Sequence, residues 1–217
     1  MSSSSSSSSS SNKRKHQQDS YRRQYLQLPV YQAKDEFLDQ FQKHQVIVVE
    51  GPTGSGKSTQ IPKIVYDFYK PQKKQGIKIV ITQTRTIAAT TLAKRVQEEY
   101  AEDGIYSIVG YQIRNSSTIQ NKTAIRFVTD GILVNEAKDA NKFDQYDCII
   151  LDEAHERTIN TDILMAWLKL RLLKNDLNNK LKVIIMSATI CSEDFVTFFT
   201  IDGKVPALVK VNYICPR

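Results

Sequence analysis

The chain has 217 residues, 41% of them hydrophobic and 24% charged, which is the composition of a globular protein with one sizeable core. It contains no apolar run of membrane-spanning length and no secretory signal, so we expect an intracellular protein of the nucleus or cytoplasm with no membrane partner. The formal net charge is +7, but +4 of it comes from residues 1–28, so the remainder is mildly basic and only permits a polyanionic partner.

The cysteines are widely spaced and show neither a C-x-x-C pair nor the spacing of metal ligands; they are Cys148, Cys191 and Cys215. A reducing compartment is therefore expected. Cys148 lies within an apolar run, where a cysteine usually acts as a small buried hydrophobic residue.

The amino-terminal segment is polar throughout. Met1 is followed by ten serines and then by the basic stretch Lys13–Lys15. Such a segment has nothing to bury, so we expect residues 1–25 to be disordered and residues 26–217 to form the folded domain. The basic stretch is open to three interpretations: a nuclear import signal, an arm that contacts RNA, or a solvated tail.

Beyond this segment, apolar runs alternate with helix-period patterns. The predicted strands are Val46–Val49, Ile77–Thr82, Ile105–Val109, Ile125–Val128, Cys148–Leu151 and Val183–Met186. The predicted helices are Lys57–Tyr69, Ile87–Tyr100, Ile132–Ala137 and Ile159–Leu173. This alternation predicts an α/β fold with a mostly parallel sheet and helices on both faces, and such sheets bind ligands at the carboxyl ends of their strands.

A glycine-rich loop with the pattern G-x-x-x-x-G-K-S follows the first strand, from Gly51 to Thr59. Its backbone N–H groups can surround a phosphate chain, and the helix after it adds the positive end of its dipole. Lys57 can reach the β- and γ-phosphates, and the Ser58 hydroxyl can hold Mg²⁺. The alternative is an ordinary glycine turn, but the lysine, the hydroxyl and both flanking elements favour a nucleoside triphosphate site.

Two carboxylates, Asp152 and Glu153, follow the predicted strand Cys148–Leu151 directly. Beside a phosphate loop, Asp152 would hold Mg²⁺ and Glu153 would polarise the water that attacks the γ-phosphate. Alone, the pair could equally cap the next helix. A further turn, Ser187-Ala188-Thr189, ends the strand at Met186 and is uninformative by itself.

Together these segments resemble the DEAH/RHA branch of the superfamily 2 helicases, in their first RecA-like domain. The segment Gly51–Pro62 matches motif I, Asp152–Arg157 matches motif II and Ser187–Thr189 matches motif III. Thr129–Leu133 is similar to motif Ib, Gly110–Arg114 to a strand of the family, and Leu28–Tyr31 to the segment that precedes motif I. The resemblance covers about residues 26–217.

The resemblance implies ATP and Mg²⁺ as cofactors. The implied ATP-binding residues are Gly51, Thr53, Gly54, Ser55, Gly56, Lys57, Ser58, Thr59 and Arg95. The implied metal ligands are Ser58, Asp152 and Glu153, and the implied catalytic residues are Glu153, Lys57, Asp152 and His155. Arg95 would stack on the adenine base, although a solvated position on the helix face is an open alternative. Gln32 resembles the adenine-reading glutamine of DEAD-box proteins, but its surroundings are of the DEAH type.

The resemblance also implies an RNA surface made of Arg85, Thr129 and Gly131. Because turns after neighbouring parallel strands share one rim, we expect these residues to lie together. Arg85 can pair with a phosphate, and Thr129 and the Gly131 N–H can bond to phosphate or 2′-hydroxyl oxygens, so single-stranded RNA would be bound without sequence preference. Asp130 is expected to cap the following helix. The alternative for residues 129–131 is that they form only a capping turn and do not contact RNA.

Helicases of this branch use two RecA-like domains, and the second supplies arginine fingers from a Gln-Arg-x-Gly-Arg-type motif. No such motif follows Ser187–Thr189 in the sequence, so we interpret the chain as the first half, completed by a second RecA-like domain or a protein partner. Three hypotheses follow: the ATP-binding half of an ATP-dependent RNA helicase, a non-hydrolysing ATP- and RNA-binding module, or another P-loop NTPase such as a nucleotide kinase. The motif Asp152–Arg157 argues against the third.

Overall fold

The computed structural model describes residues 26–73, 76–139, 143–174, 181–188 and 192–212. The predictions for residues 1–25, Thr189, Cys191 and Cys215 lie outside these ranges. The helices are α1 (Pro29–Gln32), α2 (Lys34–Lys43), α3 (Lys57–Tyr69), α4 (Thr86–Glu102), α5 (Asp130–Ala137), α6 (Ile159–Leu173) and α7 (Ser192–Phe199). The strands are β1 (Val46–Glu50), β2 (Ile79–Gln83), β3 (Val109–Ile113), β4 (Ser116–Ser117), β5 (Ile125–Thr129), β6 (Cys148–Leu151), β7 (Lys182–Ser187) and β8 (Ala207–Lys210).

The strands form one sheet in the order β4-β3-β5-β2-β6-β7-β1-β8. Every neighbouring pair is parallel except β3 and β4, which are antiparallel. Alternate residues of β1 enter two different cores, with Ile47 and Val49 on one face of the sheet and Val46 and Val48 on the other. The predicted α/β fold with helices on both faces is therefore confirmed, and Cys148 is fully buried within the sheet as expected.

The predicted helices agree closely with the structure, and the Lys57–Tyr69 and Ile159–Leu173 bounds are identical to those of α3 and α6. One strand prediction, Ile105–Val109, is wrong. Gly104 and Ser107 both have positive φ angles, +74° and +64°, so the chain turns where an extended run was expected. The strand begins at Val109 instead and contains residues 110–113 of the segment that resembles the family strand, while Arg114 lies in the turn after it.

Five elements of the structure were not predicted from the sequence. They are α1, α2, α7, β4 and β8. The most consequential is β8, which covers the outer side of β1 with Ala207 opposite Ile47. The pairing continues past the strand, since the Val211 N–H donates to the Glu50 carbonyl at 2.7 Å.

The carboxyl ends of the parallel strands bring the motifs to one edge of the sheet. Gln83 at the end of β2 is opposite Thr129 at the end of β5, and Glu50 at the end of β1 is opposite Ser187 at the end of β7. We name this edge, where the chain leaves β1, β2, β5, β6 and β7, the polar edge. Among the described residues, no helix is both long and apolar enough to cross a membrane.

Candidate nucleotide-binding site

The glycine loop has a backbone that side chains would disrupt. Gly54 and Gly56 have φ angles of +83° and +90°, in the region that favours glycine. A Cβ on Gly56 would lie 2.8 Å from Leu28 Cδ1, and one on Gly51 would lie 2.8 Å from Val211 Cβ. The Val30 N–H donates to the Ser55 carbonyl at 3.1 Å. Segments before and after the loop in the chain therefore hold it in shape.

Lys57, the first residue of α3, turns its ammonium group back into the loop. Nζ donates to the Pro52 carbonyl at 3.0 Å and to Ser55 Oγ at 3.4 Å, and it also donates to the Gly51 carbonyl. The residue is only 6% exposed. Burial lowers the pKa of this lysine, and the nearby Asp152 and Glu153 carboxylates oppose that effect. The loop thus holds a buried cation at its centre.

Asp152, directly after β6, is the buried carboxylate of the polar edge and is 1% exposed. Its Oδ2 accepts from Gln83 Nε2 at 2.6 Å, and its Oδ1 accepts from the Glu153 N–H at 2.9 Å. The Ser58 side chain also hydrogen-bonds to the Asp152 carboxylate. Burial raises the pKa of Asp152 to about 6, with the bonds from Ser58 and Gln83 opposing the rise.

Glu153 and His155 face the turn that follows β7. The Ala188 N–H donates to His155 Nδ1 at 3.2 Å, which requires a lone pair on Nδ1 and leaves the proton of the neutral ring on Nε2. Glu153 Oε2 lies 3.5 Å from the same Nδ1. Glu153 precedes the 3₁₀ turn Ala154–Glu156 with a φ of +50° and makes no side-chain capping bond. The capping alternative for this acidic residue is therefore not supported.

The residues of this site fit Mg²⁺ and a nucleotide. Mg²⁺ is usually held by one or two protein oxygens together with phosphate and water oxygens. The hydroxyl of Ser58 and the carboxylate of Asp152 form such a pair, already hydrogen-bonded to each other. In the described part of the chain, no group of three or more His, Cys, Asp or Glu residues could hold a metal ion without such outside ligands.

Comparison with known proteins identifies the family of the chain. Residues 31–196 match the DEAD/DEAH box helicase family. The chain belongs to this family. Its parallel sheet and glycine loop are the RecA-like P-loop domain of such a helicase.

Curated relatives carry helicase names. The chain is 43% identical over 175 residues to ATP-dependent RNA helicase HrpA of Escherichia coli, covering 79% of this chain and 13% of that protein. It is 41% identical over 172 residues to "Probable ATP-dependent RNA helicase DHR2" of Saccharomyces cerevisiae, covering 79% of this chain and 23% of that protein. For "Probable ATP-dependent RNA helicase DHR1" of the same yeast, the identity is 38% over 205 residues, covering 89% of this chain and 16% of that protein. The chain thus spans less than a quarter of the length of these relatives.

The remaining hydroxyls predicted for the helicase ATP site differ in burial. Ser55 is fully buried and its N–H donates to the Pro52 carbonyl at 3.2 Å. The Thr59 hydroxyl donates to the Gly56 carbonyl at 3.2 Å, and Thr53 is exposed at the loop tip.

Arg95 lies on α4 and is held by a buried acidic residue that sequence reasoning did not single out. Arg95 Nε donates to Glu99 Oε1 at 2.9 Å, while Glu99 Oε2 accepts from Lys63 at 2.6 Å and from Gln60 at 3.0 Å. The separation of Arg95 and Glu99 by four residues is the one signal of this cluster in the sequence, because Gln60 and Lys63 belong to α3. Gln32 is exposed at the end of α1.

The residues predicted to bind RNA follow adjacent strands of the polar edge, as expected. Arg85 is 79% exposed, and its guanidinium lies 3.8 Å from Glu156 Oε1. Thr129 is opposite Gln83, two residues before Arg85. The Gly131 N–H already donates to Asp130 Oδ1 at 2.7 Å, so a contact to RNA would have to share that donor.

The expectation that Asp130 caps α5 is wrong. Thr129 occupies the N-cap position, and Asp130 is the first residue of the helix. The Asp130 carboxylate instead accepts from the Thr158 hydroxyl at 2.8 Å and from Asn160 Nδ2 at 3.3 Å. It joins the beginnings of α5 and α6, which explains why an acidic residue is buried beside a proposed RNA surface.

Proposed function

We propose that the chain is the ATP-binding unit of an ATP-dependent RNA helicase of the DEAH type, which couples ATP binding and hydrolysis to RNA binding and remodelling. The observation that carries the proposal is the placement of two buried groups of opposite charge at one edge of the sheet, Lys57 in the glycine loop and Asp152 after β6. The RNA helicase names of the relatives and the Asp-Glu-Ala-His sequence at residues 152–155 support the substrate and the subtype.

In this function each group of the site has a separate task. The loop N–H groups and Lys57 bind the phosphate chain, and Ser58 and Asp152, with Glu153 beside them, hold Mg²⁺. Bound Mg²⁺ supplies neutralisation of the charge that develops on the phosphate oxygens. Glu153 orients and polarises the attacking water. His155 joins this site to the turn after β7 through the Ala188 N–H.

The RNA part of the proposal is a backbone-reading surface made of Arg85, Thr129 and Gly131. Binding would be weak, independent of sequence and sensitive to salt, since only phosphates and sugars are contacted. A second RecA-like domain or a protein partner would complete the cleft and supply the arginine fingers. An intracellular location in the nucleus or cytoplasm is part of the same proposal.

The second candidate is a module that binds ATP and RNA without hydrolysing ATP. In it the phosphate loop and the Asp152 carboxylate would bind nucleotide and Mg²⁺, but no arginine finger would act on the γ-phosphate. Loss of an arginine finger lowers phosphoryl-transfer rates by roughly 10³- to 10⁵-fold. The chain alone should therefore hydrolyse ATP very slowly under either candidate.

Steady-state ATP hydrolysis separates the two candidates. It should be measured for the chain alone, with single-stranded RNA, and with RNA plus a second RecA-like domain of the family. Stimulation in the last condition supports the helicase proposal, and absence of turnover despite ATP binding supports the module. Glu153→Gln is the matched control, because it should keep ATP binding and remove the turnover.

A further inference from the structure

We propose that Gln83 is a positioning residue that holds the Asp152 carboxylate in the orientation needed for Mg²⁺, and so sets how strongly Mg²⁺ promotes nucleotide binding. The inference rests on the proposed function, because Asp152 must be the carboxylate that holds the ion. Gln83 is the last residue of β2 and is 3% exposed, and the sequence motifs gave it no role.

The hydrogen bonds around Asp152 fix the plane of its carboxylate. One oxygen accepts from the Glu153 N–H at 2.9 Å and the other accepts from Gln83 Nε2 at 2.6 Å. Donors on both oxygens prevent rotation about the bond that joins the carboxylate to Cβ. Each carboxylate oxygen has two lone pairs, so each keeps acceptor capacity for a metal ion. The Glu153 donor belongs to the main chain, and Ser58, which also bonds to Asp152, is itself a proposed Mg²⁺ ligand. Gln83 is therefore the side chain whose substitution tests the orientation of Asp152 without removing a proposed ligand.

Gln83 reaches Asp152 because β2 and β6 are neighbours in the sheet. Their register puts Thr82 opposite Leu151, so the next residues along the two chains, Gln83 and Asp152, face each other at the polar edge. The Asp152 N–H also points at the Thr82 hydroxyl oxygen, at 3.4 Å. The last two residues of β2 thus contact both the main chain and the side chain of Asp152.

The chemistry requires a donor at this position. An ionised carboxylate only accepts hydrogen bonds, so the Gln83 amide must present its NH₂ group. A charge-assisted bond in a buried site is stronger than a neutral one, and its loss leaves the acceptor incompletely satisfied. Removing a residue that orients a metal ligand typically lowers metal affinity about 10- to 100-fold.

The test is the Mg²⁺ dependence of ADP binding. A fluorescent ADP analogue should be titrated into the wild type and into Gln83→Met, which keeps the side-chain length and removes the donor. We expect the Mg²⁺ concentration for half-maximal enhancement to rise about 10- to 100-fold, with no change of affinity in excess EDTA. Gln97→Met is the matched control, because the Gln97 amide bonds to the main chain of Ile105 and Val109 at 3.1 Å, away from Asp152.

A double-mutant cycle shows whether the effect passes through Asp152. Adding Gln83→Met to Asp152→Asn should leave the Mg²⁺ dependence of the single Asp152→Asn variant unchanged. Three results would overturn this inference while leaving the proposed function intact. The first is an equal effect of Gln83→Met in both backgrounds, and the second is a wild-type Mg²⁺ dependence in Gln83→Met. The third is a loss of ADP affinity in EDTA as large as the loss in Mg²⁺. Binding of ADP by the wild type that does not respond to Mg²⁺ would overturn the proposed function as well.

Discussion

The nucleotide side of the polar edge buries its lysine and one carboxylate, whereas the proposed RNA side presents its phosphate-binding cation to solvent. Lys57 and Asp152 are 6% and 1% exposed, but the side chain of Arg85 is 79% exposed. Buried charges interact strongly and must be fixed by partners that the fold supplies, while exposed charges are screened by salt and take their positions from the ligand. Substitutions should therefore have large, specific effects on one side and small, salt-dependent effects on the other.

The largest effect should come from Lys57→Ala. It removes the only cation that the loop encloses among the described residues, so isothermal titration calorimetry should detect no binding of ATP or ADP. Lys70→Ala, at the exposed carboxyl end of the same helix, is the control for loss of one positive charge and should bind normally. Equal ATP affinity in Lys57→Ala and wild type would contradict the assignment of the nucleotide site. It would also remove the contrast between the buried nucleotide side and the exposed RNA side of the polar edge.

Asp152→Asn should stabilise the protein in the absence of nucleotide and Mg²⁺. Burial raises the pKa of this carboxyl from its ordinary value of 3.8 to about 6 in the folded protein, so the folded state binds more protons between about pH 4 and 6. Stability is therefore lost as the pH rises through that window, by about 3 kcal/mol once it is passed. Asparagine does not ionise and so does not lose this stability. The free energy of unfolding of Asp152→Asn should therefore exceed that of the wild type by the full amount at about pH 8 and by nothing below about pH 4.

Urea unfolding at the two pH values measures this difference. Asp39→Asn, at an exposed aspartate that pairs with Lys43, is the control and should show no comparable gain. A wild type that is more stable than Asp152→Asn at about pH 8 would mean that the hydrogen bonds to the carboxylate outweigh its desolvation.

The base of the nucleotide should contribute much less than its phosphates. Stacking of a base on the partly exposed Arg95 is worth about 0.5–1 kcal/mol, so Arg95→Ala should weaken binding of ATP, GTP, CTP and UTP by about 2- to 5-fold each. Competition assays with the four nucleotides measure the discrimination, which should be weak in the wild type. Gln32→Ala should change nothing, and a strong preference for ATP that depends on Gln32 would contradict a DEAH-type site.

The smallest effect should be that of Arg85→Ala on single-stranded RNA. Fluorescence anisotropy at low salt should show an equal loss for unrelated sequences, and the slope of log affinity against log salt should fall by about one. Lys138→Ala, at the far end of α5, removes the same charge and should have less effect. A loss for one sequence only would mean that Arg85 reads a base and is not part of a backbone surface.

The sequence predicts the long elements and the polar edge because both depend on local patterns. The hydrophobic period of α3 and α6 persists over three turns or more, and parallel strands necessarily end at a common edge. The segment Ile105–Val109 failed because an apolar run carries no information about the positive φ angles at Gly104 and Ser107. The four-residue β8 was missed because it ends in the exposed Lys210 and forms no continuous apolar run, unlike the equally short β6.

Contacts between distant elements account for the rest of the site. Gln83 appeared as an ordinary strand residue until the β2–β6 register put it beside Asp152. Glu99 likewise joins α4 to Lys63 of α3, across 36 residues of sequence. The misassigned Asp130 shows the same limit, since its partners Thr158 and Asn160 belong to the beginning of α6.

The position of β1 in the sheet determines when the phosphate loop can form during synthesis. Of the described strands β1 is made first, yet its neighbours are β7 and β8, with Ile47 opposite Ile184 and Ala207. Strands β2, β5 and β6 can pair as they emerge from the ribosome, whereas the apolar run Val46–Val49 must wait without a partner for the last part of the sheet. Until then it is an exposed apolar segment of the kind that is prone to aggregation, and the contact of Val211 with Gly51 that helps to shape the loop can form only after β8 has been made.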